Sequence, residues 1–299
     1  MKIVIAGGTG LVGKRLQQLF LKEHAEIIIL TTSNQHTISD GVRYVTWMNG
    51  EQPEHLLENT DAFINLAGVS LNAGRWTAKQ KTNIEMSRTE TTQEIIRIMK
   101  ALVNKPKVFV NASAVGIYEP STSQIYSEQY PAKAHDFLSN VVMKWESEAN
   151  KANILGIRTC LMRFGVILEK EAGALPLMLL PYQLFIGGTI GSGKQWVSWI
   201  HAEDAARAIL HAIQNEQLSG PINTVSPNAK RMRDFGKTIG KTFNRPHYLP
   251  VPSFALKSVL GEKSILILEG QYVVPDKLLQ TNFKFKFASL ENALLDLYN

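Results

Sequence analysis

The sequence predicts an α/β fold built on a doubly wound parallel sheet, with a smaller C-terminal domain set over it. Three observations predict this. The chain opens on a short apolar run followed at once by glycines at three-residue spacing and then a helical pattern. Apolar runs of strand length alternate with helix-length runs as far as Arg163, the pattern of parallel strands joined by helices. After Gly165 prolines and glycines interrupt that alternation, which marks a separate, smaller unit.

Lys2 to Ala6 reads as a buried strand, and Leu11 to Lys22 carries Leu11, Val12, Leu16, Leu19 and Phe20 at helical spacing. Between them stand Gly7 and Gly10, with Gly13 inside the helix. Gly7 permits a tight turn, Gly10 lets backbone approach a diphosphate, and Gly13 lets the helix pack on the strand. Strand, glycine turn and helix form the fingerprint of a Rossmann-type dinucleotide site. The helix presents bare N–H groups and its positive dipole end to the phosphates. The candidate cofactor contacts here are Gly7, Thr9, Gly10, Leu11, Val12 and Gly13.

Glu26 to Thr31 is the second strand. An NAD enzyme usually ends this strand on Asp or Glu, which binds the ribose 2′-hydroxyl. This chain has Thr31, Thr32, Ser33 and Asn34 instead. Hydroxyls with a nearby cation such as Arg15 suit a 2′-phosphate, so the residues point to NADP rather than NAD, with Thr31 as the contact. Val42 to Trp47 is a third strand and Ala62 to Ala67 a fourth, leading into Gly68. There Ala67 and Gly68 either bring bare backbone close to a flat ligand or simply turn from strand to loop. Thr77 to Val103 is largely one helix, with Ile84, Ile95, Ile96, Met99 and Leu102 facing the core. Lys107 to Ala112 is the fifth strand, His135 to Ala152 a helix, and Ile157 to Arg163 the sixth strand. Beyond Gly165, Trp196 to Ile200 reads as a strand, Ala202 to Ile213 as a helix and Ile222 to Val225 as a short strand. The division is a Rossmann domain of residues 1–168 and 196–226, and a substrate-binding cap of residues 169–195 and 227–299. The cap belongs over the strand ends, where such sheets bind ligands.

Ser113 closes the fifth strand and Tyr118 follows five residues on. The serine either hydrogen-bonds a substrate carbonyl or only ends a strand. The tyrosine works as acid or base only if its pKa is lowered, usually by a lysine. These two are the catalytic candidates. Arg163 ends the sixth strand among apolar residues and needs a phosphate or an acid partner there, so it joins the cofactor contacts. GTIGSGKQ at 188–195 nearly spells a triphosphate-binding loop, but Gln195 replaces the magnesium-binding hydroxyl and a strand follows where a helix should. His201, Glu203 and Asp204 fit no standard metal spacing, and the acids suit the first turn of a helix. No metal is expected. Cys160 reads as a buried small hydrophobe.

The chain has 299 residues and a net charge of +6, with no lysine- or arginine-rich run or basic–aromatic patch, which argues against nucleic acid. No apolar run approaches a membrane span and no signal peptide is apparent, so a cytoplasmic protein is expected.

Together these motifs resemble the extended and atypical short-chain dehydrogenase/reductases, specifically the bacterial NAD-dependent epimerase/dehydratase-like "epimerase family protein" group. The likeness rests on GGTGLVG at 7–13, NLAG at 65–68, Ser87, Arg88 and Thr92, and SAVGIY at 113–118. It continues through WE at 145–146, RFGVIL at 163–168, GSGKQWVSWIHAED at 191–204 and GPINTVSP at 220–227. The resemblance implies NADP(H) binding, a small-molecule substrate and a small C-terminal substrate domain. A homodimer is compatible with it. Plant relatives are linked to chloroplast division, and bacterial members carry the label of cell-division inhibitors. The chain departs from the family pattern in one respect. Aligning Glu146 puts Leu138 and Val142 where a Tyr-x-x-x-Lys pair belongs, and Arg88 where an active-site Asn belongs. Lys144 is two residues off, roughly 200° round the helix.

Overall fold

The structure is a computed structural model and describes residues 1–33, 38–39, 41–50 and 52–298. Asn34 lies outside these residues. In chain order the strands are β1 (Lys2–Ala6), β2 (Glu26–Thr31), β3 (Ile38–Ser39), β4 (Val42–Thr46), β5 (Ala62–Asn65), β6 (Val108–Ala114) and β7 (Ile125–Tyr126). They continue as β8 (Arg158–Phe164), β9 (Val166–Leu168), β10 (Trp196–Val197), β11 (Trp199–His201), β12 (Gly220–Thr224), β13 (Lys230–Arg231) and β14 (Tyr272–Val273). The helices are α1 (Leu11–Lys22), α2 (Glu54–Leu57), α3 (Ala78–Ala101), α4 (Phe137–Ala149), α5 (Leu175–Gln183) and α6 (Ala202–Gln214). The tail adds α7 (Met232–Thr242), α8 (Ser253–Leu260), α9 (Ile265–Leu268), α10 (Asp276–Gln280) and α11 (Leu290–Tyr298).

The main sheet runs β12-β8-β6-β5-β1-β2-β4-β3. Seven strands are parallel, and β3 joins β4 antiparallel. The chain winds outward from β1 through β2 to β4, then returns to β5 on the other side of β1. The switch point therefore lies between β1 and β5, at their carboxyl ends, where such sheets bind ligands. Ile and Val dominate β1 and β2 because both faces of the central strands are covered. On one face Val12, Leu16 and Phe20 of α1 and Ala205, Ile209 and Ile213 of α6 pack against Ile3, Ile5, Ile64, Val110 and Met162. On the other, Ile95, Ile98 and Met99 of α3 and Ala149 of α4 meet Val4, Phe63, Phe109 and Leu161.

That second face turns polar toward the carboxyl ends. The cross-strand partners Asn65↔Asn111, Ser113↔Arg163 and Arg163↔Asn223 set a row of polar side chains beneath α3 and α4. Their alternate neighbours Ala112, Met162, Phe164 and Ile222 join the apolar core beneath α1 and α6.

A second core joins Leu168, Leu175, Leu179, Trp199, Phe235, Ile239, Leu290 and Leu294. The tail also returns to the main body: β14 pairs with β7, and Leu278 and Phe283 enter the first core.

The sequence boundaries shift for identifiable reasons. β5 stops at Asn65 because Leu66 to Gly68 turn away into the ligand crevice. β6 runs on to Ala114, so Ser113 lies inside the strand rather than closing it. The stretch Trp196 to Ile200 divides at Ser198, because β10 pairs antiparallel with β13 while β11 pairs parallel with β9. Thr77 caps α3 by accepting from the Gln80 N–H, and Asp136 with Ser139 forms a capping box that starts α4. Cys160 is fully buried, and burial pushes its thiol up to about 11, so it is an inert core residue. Among the described residues no helix is long and apolar enough to cross a membrane.

Candidate functional site

The glycine turn is built by close backbone approach. Gly7 has φ +77°, and a Cβ there would stand 2.7 Å from the Leu66 carbonyl carbon and oxygen and 2.8 Å from the Ala67 nitrogen. The β1 turn and the loop after β5 therefore touch, forming the two walls of one crevice. The Gly10 N–H donates to the Gly7 carbonyl, and Gln17 Nε2 donates to the Gly8 carbonyl at 2.8 Å, which fixes the turn. Gly10 is the extended N-cap of α1 and supplies no side-chain cap, and the first turn holds no acid. The amides of Leu11, Val12 and Gly13 are thus left for an anion, with the helix dipole behind them. Thr9 is exposed beside them. A nicotinamide dinucleotide fits this cradle, because its diphosphate needs bare amides and the absence of side chains.

Asn65 holds the other wall. Its Nδ2 donates to Thr92 Oγ1 at 2.9 Å and Asn111 Oδ1 at 2.8 Å, while its Oδ1 accepts from the Ala67 N–H. Trp145 Nε1 donates to Thr92 Oγ1. A buried amide network thereby sets the path of Leu66 to Gly68.

The structure brings Ser113, Tyr118 and Arg163 together and encloses them. Ser113 Oγ donates to Glu146 Oε1 at 2.6 Å. Arg163 donates Nε and Nη2 to the two Glu146 oxygens, both at 2.8 Å, and Nη1 to the Tyr118 hydroxyl at 2.8 Å. The Tyr118 hydroxyl donates to Asn223 Oδ1 at 2.9 Å. Ser113, Tyr118 and Arg163 are 3 %, 1 % and 4 % exposed, so all three face the protein rather than an open crevice. Burial opposes the Arg163 charge, but Glu146 outweighs it and its pKa is raised. Burial pushes the Tyr118 phenol up, against a smaller opposite pull from Arg163. That is the wrong direction for a tyrosine base. Lys144 donates to Glu85 at 2.6 Å on the outer side of α3 and α4. The acid partner of Arg163 is Glu146, so its guanidinium is committed within the protein.

The cation expected for a 2′-phosphate is also committed. Arg15 donates Nε and Nη2 to Glu169, at 2.8 and 3.0 Å. The Thr31 hydroxyl accepts from the Ser33 N–H in a small turn at the end of β2, with Thr32 and Ser33 exposed. Among the described residues, what remains for a 2′-phosphate there is hydroxyl and amide chemistry.

The triphosphate-loop look-alike is a turn in which Gly191 and Gly193 have positive φ, and β10 follows it. The N-terminus of α7 meets this turn, but its Met232 and Arg233 N–H groups donate to the Gln195 and Gly193 carbonyls and are not open to a phosphate. His201, Glu203 and Asp204 do not act as a unit. Asp204 accepts from Arg207 and from the Lys286 and Phe287 N–H groups, while Asp296 of α11 takes its place near His201. His201 Nδ1 accepts from the Glu203 N–H and so caps α6. That leaves the imidazole proton on Nε2, 3.4 Å from Asp296 Oδ2, and a protonated nitrogen is no metal ligand. Burial lowers the His201 pKa, and Arg15 lowers it further, against Asp296, Asp204 and Glu203. His211 and His247 shift the same way, also through burial. A histidine depressed on folding stabilises the protein above its unfolded value near 6.5, and that contribution is lost as pH falls below it. Denaturant unfolding at pH 7.5 and 5.5 is expected to show lower stability at 5.5. His201→Asn, which keeps a capping acceptor, is expected to reduce that difference.

Sequence reasoning missed Asn111, Asn223 and the role of Glu146. The first two were visible as polar residues inside apolar strand runs, VFVNAS and PINT. Glu146 was visible only as an alignment anchor.

Residues 3–224 match the NAD dependent epimerase/dehydratase family, and residues 251–297 match a domain of unknown function, DUF1731. The chain is 44 % identical to the epimerase family protein YfhF of Bacillus subtilis, over 99 % of this chain and 98 % of that one. It is 42 % identical to the epimerase family protein SAR0825 of Staphylococcus aureus, over 98 % of each. Among solved structures it is similar to the human epimerase family protein SDR39U1 with NADPH, at TM-score 0.88 and 32 % identity over 99 % of both chains. UDP-glucuronic acid 4-epimerase from Bacillus cereus, solved with UDP-glucuronic acid and NAD, shares the fold at TM-score 0.80 and 15 % identity, over 100 % of this chain and 98 % of that one. By sequence match and by fold, the chain belongs to the NAD-dependent epimerase/dehydratase family of short-chain dehydrogenase/reductase-like proteins.

Proposed function

We propose that this protein binds NADP(H) between the Gly7–Val12 turn and the Leu66–Gly68 loop and acts as an oxidoreductase or epimerase-like enzyme on a small molecule. The single observation that carries the reading is the uncapped start of α1 at the bottom of a crevice too tight for a Cβ at Gly7. The bound nicotinamide supplies or takes a hydride. The chain's own part is to hold the diphosphate on the Leu11, Val12 and Gly13 amides and to position the dinucleotide against Ala67 and Gly68. The cap segments, which share the second core with Leu168 and Trp199, are proposed to cover the substrate. Preference for NADP over NAD is supported by Thr31, Thr32 and Ser33 in place of an acid, and by the NADPH in the human relative's structure. We propose a cytoplasmic protein, and its scattered basic residues support the absence of a nucleic-acid partner.

Calorimetric titration is expected to give tighter binding of NADPH than of NADH, and equal affinities would remove the NADP preference. Turnover with NADPH on panels of carbonyl compounds and nucleotide sugars tests the chemistry. Ser113→Ala and Tyr118→Phe test the two catalytic candidates; rates equal to the parent would take both side chains out of the mechanism.

The enclosure of Ser113 and Tyr118 favours a second reading, an NADP(H)-sensing module that acts on a protein partner. Both hydroxyls are satisfied inside the protein, and Tyr118 is shifted away from base chemistry. A pull-down whose partners change between NADPH-loaded and unloaded protein, with no turnover on any panel, would select this reading.

A further inference from the structure

The exposed apolar surface of this chain is unevenly spread. The two short stretches 177–186 and 248–259 hold nine of the twenty large hydrophobic side chains that are exposed among the described residues. The fold joins them into one patch. The Gly187 carbonyl accepts from the N–H groups of Tyr248 and Leu249, and Ile190 bridges to Val251. Arg245 lies over the Phe185 ring, 4.4 Å from its centroid. A Cβ on Gly191 would stand 2.9 Å from Ser253 Oγ, which sets α8 and its exposed Phe254 at the edge of the patch.

Local structure turns these side chains outward. α5 points Leu175, Leu179 and Tyr182 into the second core, which leaves Leu177 and Leu180 on its outer side. A helix that faces only water carries polar residues there. Phe185 then has φ +60°, a left-handed backbone that a bulky side chain rarely adopts. The turn it makes exposes Leu184, Phe185 and Ile186 in succession, which neither helix nor strand periodicity allows.

Charge on the same segments is one-sided. Residues 172–202 and 235–261 are the two longest acid-free runs of the chain, and they carry Lys194, Lys237, Lys241, Arg245 and Lys257. Among the described residues only Lys241 of these five meets an acid, Glu291 at 3.6 Å. A second copy of the chain would set cations against cations, which disfavours self-association through this face. Leucine is under-represented among the side chains that anchor protein partners. Exposed Leu, Ile and Phe rimmed by Lys and Arg is instead the composition of a surface that lies in the interface of an anionic bilayer.

We propose that this face of the cap seats the protein peripherally on an anionic lipid surface. Leu184, Phe185 and Ile186 enter the acyl boundary, and Arg245 and Lys257 meet the headgroup phosphates. This is attachment without a span, and it stands whether or not the crevice binds a dinucleotide.

The test is co-sedimentation of the full chain with vesicles of phosphatidylcholine alone or mixed with phosphatidylglycerol. Binding is expected to the mixed vesicles only, and high salt is expected to weaken it. Leu184→Ser with Phe185→Gly is expected to cut it about tenfold or more, and Arg245→Gln with Lys257→Gln to cut it similarly. Glycine suits the positive φ at 185, so thermal unfolding is expected to show a folded variant. If the pair of changes fails to fold, Phe185→Gly alone takes its place. Ile154→Ser removes an exposed aliphatic outside the patch and is expected to bind like the parent. No binding to the mixed vesicles, or equal binding to both kinds, overturns the proposal. So does binding that the Leu184 and Phe185 changes leave intact, or an equal loss in Ile154→Ser. A dimer in ultracentrifugation that the same changes split assigns the face to a second copy and overturns it. A lipid-independent complex with an acidic protein, broken by those changes and found without vesicle binding, overturns it in favour of a protein partner.

Discussion

Gly13→Ala is expected to weaken NADPH binding by about a hundredfold or more and to cost roughly 2–3 kcal/mol of stability. The added Cβ would stand 2.3 Å from the Gly8 oxygen, 2.5 Å from the Gly8 carbonyl carbon and 2.6 Å from the Gly7 oxygen. All three are backbone atoms, so no side-chain rotation relieves the clash. Either α1 lifts off the turn or the turn deforms, and both move the Leu11 and Val12 amides off the diphosphate. Gly116→Ala is the control: the nearest atom would be Leu138 Cβ at 3.9 Å, and no effect is expected. Calorimetry and denaturant unfolding on both variants check this. NADPH affinity unaltered in Gly13→Ala would show that the turn does not hold the ligand.

The largest stability loss is expected at Glu146. Glu146→Ala leaves Arg163 buried with its charge unanswered, and losing one partner of such a pair costs about 3–5 kcal/mol. The same change leaves Ser113 Oγ without its acceptor. The double variant Glu146→Ala with Arg163→Met is expected to recover a large part of that loss, because the remaining charge goes too. Urea unfolding of the singles and the double forms the cycle. Additive losses would mean that the two side chains do not stabilise each other. The Tyr118 hydroxyl would lose one donor in the double variant but keep Asn223.

The central strands were legible because β1, β2 and β5 are buried on both faces and read as near-continuous apolar runs. α1 was legible because its glycine turn and its apolar stripe agree. The glycine turn that meets the loop after β5 was therefore readable from Gly7 to Gly13. The polar layer was not, since it depends on strand register. Ser113, Arg163 and Asn223 become neighbours only when β6, β8 and β12 align, and nothing local in their sequences encodes that alignment. The ion pairs were hidden for the same reason. Glu169 meets Arg15, and Glu146 meets Arg163, across separations that no helical spacing reveals. As a result, Arg15 and Arg163, open to phosphate in the sequence, are closed in the fold.

The second core has a consequence for how the protein is made. Leu168, Leu175, Leu179 and Trp199 leave the ribosome well before Phe235, Leu290 and Leu294, the residues that cover them. A nascent chain can assemble most of the parallel sheet while this apolar group waits unclothed. That interval is when the emerging polypeptide is most prone to self-association, and when a chaperone has most to protect.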